Sequence, residues 1–93
     1  MKSNTLGLPK YLAEVDITEV DREFLEPYLS GWVRLCEYLN TENPPEEWVV
    51  KLLRMEIEEP SPRFNIITRL HSRLIKLRRS RELKTIQEYI NGR

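Results

Sequence analysis

Cysteine is nearly missing from this chain. Cys36 is the only one in 93 residues, which excludes an intramolecular disulfide framework. His71 is likewise the only histidine, and one Cys with one His cannot make an ordinary structural zinc site. Glycine is scarce too: Gly7, Gly31 and Gly92 stand apart from one another, so no glycine-rich loop is present to cradle a phosphate. No run approaches the roughly 18 apolar residues that a membrane-crossing helix needs. The opening Met1-Lys2-Ser3-Asn4-Thr5-Leu6 lacks the apolar stretch of a secretory signal. These shortages lead us to expect a soluble cytoplasmic domain with no metal and no cofactor.

What is present suits one core. The chain is 40% hydrophobic, and a domain of this size buries roughly 60 to 68% of its unfolded surface. Residues 1–93 are therefore expected to form a single domain, with residues 1–15 peripheral or irregular around Gly7-Leu8-Pro9.

Apolar residues recur with helical period, and cap-like residues stand before each series. The pattern predicts an all-α bundle of four helices, over 18–26, 27–40, 44–58 and 62–79. A fifth helix, or a continuation of the fourth, is expected over 81–90. Thr18 can cap the first helix, with Asp21 answering three residues on. Pro27 either opens a second helix or kinks a continuous one, and Asn40 tolerates the left-handed conformation of a C-cap. Asn43-Pro44 with Glu46 reads as a capping box with proline at the first helical position. Ser61-Pro62 repeats that start, Ser80 can mark a break, and Asn91-Gly92 ends the pattern. Gly31 reads either as a close approach of helices beside Trp32 or as a short helix's C-cap. The expected core contains Leu35, Leu39, Trp48, Leu52, Met55, Ile67, Leu70 and Leu74.

Charge is balanced overall and segregated along the chain. Fifteen Lys and Arg meet fifteen Asp and Glu. Residues 1–61 nevertheless carry a net charge of −7 and residues 62–93 a net charge of +7. Acidic helices packed beside a basic one would explain this through weak rim ion pairs. A basic segment facing phosphate would explain it equally well.

The basic residues favour one side of the fourth helix. At about 100° per residue, Arg69, Arg73, Lys76 and Arg79 fall within about 120° of one another. Ile67, Leu70, Leu74 and Leu77 gather opposite, flanked by Phe64, His71 and Ile75. Arg78 falls under the apolar stripe, so we expect either that the helix bends or ends near Ser80 or that Arg78 reaches an acidic group on a neighbouring helix with its stem on apolar surface. With Arg81 added, Arg69, Arg73, Lys76, Arg79 and Arg81 are the candidate contacts to DNA, RNA or another acidic partner. Arginine's fork suits phosphate, and such contacts read backbone rather than sequence. A two-helix unit from Trp48 to Leu77 has the length of a helix-turn-helix. Its turn, Glu59-Pro60-Ser61-Pro62, holds two prolines and no glycine, so that match is generic. The apolar side of the basic helix is needed for the core, which disfavours a membrane surface.

Other residues have plainer readings. His71 lies on the apolar side of its helix and is expected to be partly buried, and Cys36, in an apolar helical pattern, is expected to be a small buried hydrophobe. Glu56, Glu58 and Glu59 sit at the unfavourable C-terminal end of a helix dipole, a placement that a basic neighbour such as Arg63 would relieve. No nucleophile–base pair is evident, so we expect no enzyme. Tyr28, Trp32 and Tyr38 are candidates for a protein interface, because the aromatic residues of the first half exceed what a small core readily shelters. The leading expectation is a non-enzymatic interaction module: a homodimer, or an adaptor or regulator of a larger complex. The alternative is a nucleic-acid-associated protein using its basic C-terminal helix.

Overall fold

The structure is a computed structural model and describes residues 12, 15–18 and 20–92. Over the described residues it is a small all-α bundle of four helices: α1 (Arg22–Leu25, continued by a 3₁₀ turn over Glu26–Leu29), α2 (Trp32–Glu42), α3 (Glu46–Ile57) and α4 (Phe64–Asn91). Most of the expected segment 1–15 lies outside the described residues. Of its described members, Leu12 is buried in the core and Val15 packs against that core.

Local chemistry moves several boundaries from their expected places. Asp16 takes both the backbone N–H and the hydroxyl of Thr18, at 3.0 and 2.8 Å. Thr18 is therefore spent on a turn, and Asp21 caps α1 by accepting the Glu23 N–H at 2.9 Å. The expected 27–40 helix is divided: Pro27 lies in the 3₁₀ turn, and extended Gly31 restarts the chain as the N-cap of α2. A side chain at Gly31 would meet open space, so this glycine marks neither a close helix approach nor a C-cap. Asn43, rather than Asn40, ends α2 in the left-handed conformation at φ 45°, a region asparagine tolerates. It is thus not the N-cap of α3, which begins after extended Pro45. Likewise Arg63, not Ser61, precedes α4. Ser80 breaks nothing, and α4 runs unbroken for 28 residues, about 42 Å of helix at 1.5 Å per residue.

The core lies between α4 and α3, closed by α1 and α2. Leu35, Leu39, Leu52, Met55, Leu70 and Leu74 are buried as expected, whereas Trp48 and Ile67 are half-buried and pack on the core from its edge. Leu25, Val49, Val50, Leu53 and Ile66 complete it. An aromatic series ties α1 to its neighbours. Phe24 meets Trp48 and Tyr28 edge-on at 5.3 and 5.8 Å, and Tyr28 stacks on Tyr38 at 3.9 Å. Tyr38 is consequently buried and Tyr28 half-buried, which withdraws both from the expected exposed patch; Trp32, at 45% exposure, remains on the surface.

Candidate functional site

Helix α4 has three faces, because its residues meet three different surroundings. Ile66, Leu70 and Leu74 point into the core, and α3 is the element against which α4 packs. Beyond Leu74 the core ends, and every residue from Arg79 to Gly92 is exposed. The second face is basic. Advancing about 100° per residue places Arg69, Arg73, Lys76 and Lys84 in one stripe on the flank of the core face. From Arg69 to Lys84 that stripe runs about 22 Å. The third face, nearly opposite the core, carries Ile75, Leu83, Ile86 and Ile90, each at least half exposed.

The basic stripe is anchored by neutral groups. The Arg73 guanidinium donates to the side-chain oxygens of Asn43 at 3.2 Å and Asn40 at 3.1 Å, and Arg69 donates to Asn40 at 3.0 Å. Asn40 lies in the last turn of α2 and Asn43 is its left-handed C-cap. An amide oxygen orients a guanidinium without cancelling its charge, so both arginines are held in place and remain cationic. Lys76 and Lys84 make no ion pair among the described residues.

The five candidate contacts therefore separate. Arg69, Arg73 and Lys76 are brought together on the stripe. Arg79 turns toward the apolar outer face. Arg81 reaches back to Glu46 at the start of α3, with Nε 2.9 Å from a carboxylate oxygen, and its charge is largely neutralised there. Lys84 joins the stripe instead. Its position eleven residues after Arg73 was the available signal, because that spacing returns to within about 20° of the same side of a helix. Arg78 pairs within α4 with Glu82 at 3.5 Å.

Other polar residues are structural in their placement. Glu56 is buried and bound by Arg63, which relieves the acidic end of α3. Glu58 lies 3.7 Å from Arg22. His71 is half-buried as expected, whereas Cys36, expected to be buried, is only half-buried. Among the described residues no group of three or more His, Cys, Asp and Glu converges as a metal site would require, and no helix is long and apolar enough to cross a membrane. Among protein-family models, curated proteins and solved structures, none matches this chain.

Proposed function

We propose that this chain is a non-catalytic, cytoplasmic nucleic-acid-associated protein that holds the phosphate backbone along α4 through Arg69, Arg73, Lys76 and Lys84. The observation that carries this reading is the way Arg69 and Arg73 are fixed. Both are positioned by neutral asparagine oxygens, whereas the basic residues facing acids, Arg63 and Arg81, are already paired. A fixed and uncancelled guanidinium is prepared for a phosphate, because little side-chain freedom remains to be lost on binding. A stripe of this length spans several phosphates of either a duplex or a single strand, and contacts to phosphate position the protein without reading sequence.

Fluorescence anisotropy with random duplex and single-stranded oligonucleotides tests the reading. Binding should be measurable at low salt and fall steeply as salt rises, because each phosphate contact contributes about −0.9 to the logarithmic slope for duplex and about −0.7 for single strands. The Arg73→Glu, Lys76→Glu double substitution should abolish binding while the circular dichroism spectrum stays helical. Unchanged binding in the folded double variant overturns the proposal.

A protein-binding module is the second reading, and one observation favours it. The apolar outer face of α4 is uncovered over its distal half, with Leu83, Ile86, Tyr89 and Ile90 between 53 and 72% exposed.

A further inference from the structure

We infer that the outer face of α4 pairs antiparallel with the same face of a second copy of this chain. This rests on the second reading above and names its partner. The residues on that face are Ile75, Arg79, Glu82, Ile86 and Tyr89, whose spacing alternates four and three. This is the period at which one helix lies along another in a left-handed coiled coil. Ile75, Ile86 and Tyr89 are 50, 53 and 72% exposed, and Leu83 and Ile90 widen the strip, each at 55%. These apolar side chains lie uncovered along one side of the helix, and the straight, narrow form of the strip calls for another helix as cover.

Charge selects a second copy, and its direction. A parallel pair would set Arg79 against Arg79 and Glu82 against Glu82 in the middle of the seam. An antiparallel pair about a twofold axis between Ser80 and Arg81 sets Arg79 of each copy opposite Glu82 of the other. The same register sets Ile75 opposite Ile86 on both sides of the axis, and Tyr89 opposite Ser72. The surface is thus complementary to itself, as a twofold interface must be, and the central charged layer specifies its register. Arg79 makes no ion pair among the described residues, and Glu82, which lies 3.5 Å from Arg78 of its own helix, would share its carboxylate with Arg79 of the other copy. The formal net charge of zero also leaves no overall repulsion between copies. The contact is small beside a standard interface of about 1,600 Å², so the dimer is concentration-dependent. The phosphate stripe lies on a different face and stays open in it.

Analytical ultracentrifugation of the whole chain, without nucleic acid, reads the inference directly. The wild-type mass should rise from one chain toward two as concentration increases from about 1 µM to about 1 mM, the range of weak association. Ile86→Glu should remain monomeric over that range with its circular dichroism unchanged, since Ile86 is exposed. Arg79→Glu should weaken the dimer, and Arg79→Glu combined with Glu82→Arg should restore it. A wild-type chain that stays monomeric overturns the inference. So does a dimer that survives Ile86→Glu, or one that Trp32→Glu abolishes instead. The second reading fails separately: it falls only if the wild type is monomeric and Ile86→Glu also leaves every protein co-purifying with the chain unchanged.

Discussion

Arg63 grips the buried carboxylate of Glu56 through three hydrogen bonds: its backbone N–H at 2.7 Å, Nε at 3.1 Å and Nη2 at 2.7 Å. Nη2 also donates to the carbonyl oxygen of Leu29 at 2.7 Å. One arginine therefore joins the end of α3, the start of α4 and the 3₁₀ turn after α1. The Glu56 side chain is 1% exposed and that of Arg63 43%, so the acid depends on the base more than the reverse. Arg63→Ala should destabilise the fold by about 2–3 kcal/mol in urea titration, because it leaves a buried charge with one backbone donor. The figure lies below the roughly 3–5 kcal/mol of a fully buried pair because water reaches Arg63.

Acid should weaken the same junction. Burial pushes the Glu56 carboxyl up, but the side-chain and backbone hydrogen bonds from Arg63, with its charge, outweigh burial and hold the group below its ordinary value. A depressed native value means that the contribution to stability is complete above the unfolded value of about 4.3. It is lost as pH falls through the lower native value. Urea midpoints should thus drop below about pH 4 in the wild type. Glu56→Gln, with no proton to gain, should be less stable at neutral pH and show less of that acid-dependent fall.

Tyr38→Phe should be neutral or stabilising. The Tyr38 hydroxyl is buried and makes no hydrogen bond among the described residues, and burial, then Tyr28 and Glu42, push its pKa up to about 12. Removing an unsatisfied hydroxyl relieves a desolvation cost of about 1–3 kcal/mol, while the stacking on Tyr28 is kept. A thermal melt showing a clear loss would overturn this expectation.

The two ends of α4 should respond differently to truncation. Leu70 and Leu74 are 0 and 3% exposed, so Leu70→Ala and Leu74→Ala should each cost about 2–5 kcal/mol in urea titration. Ile86→Ala, measured at low concentration, should change stability by less than about 0.5 kcal/mol.

Arginines of the same helix should separate in oligonucleotide binding. Arg81→Ala should leave affinity and salt slope nearly unchanged, because Glu46 already neutralises Arg81. Lys76→Ala should reduce the duplex slope by about 0.9. Arg73→Ala should do the same and also lower stability modestly, since its bonds to Asn40 and Asn43 join α4 to α2. That coupling departs from the expectation for a purely solvated basic side.

Short-range pattern was enough to place the helices and the buried side of α4. Leu70 and Leu74 recur on one side, Pro60 stops α3, and the charge of α4 gathers on a flank; each follows from helical period or backbone chemistry over a few neighbouring residues. Contacts across the chain decided the remainder. Thr18 and Asn43 are both competent caps; a local bond to Asp16 takes the first, and a bond from Arg73 thirty positions on takes the side chain of the second. Five basic residues looked equivalent on α4, yet Asn40 and Asn43 hold two of them and Glu46 cancels a third. Helical period says which residues share a face. It does not say whether that face meets an amide, a carboxylate, a packed leucine or water, because those neighbours arrive from residues some thirty positions away.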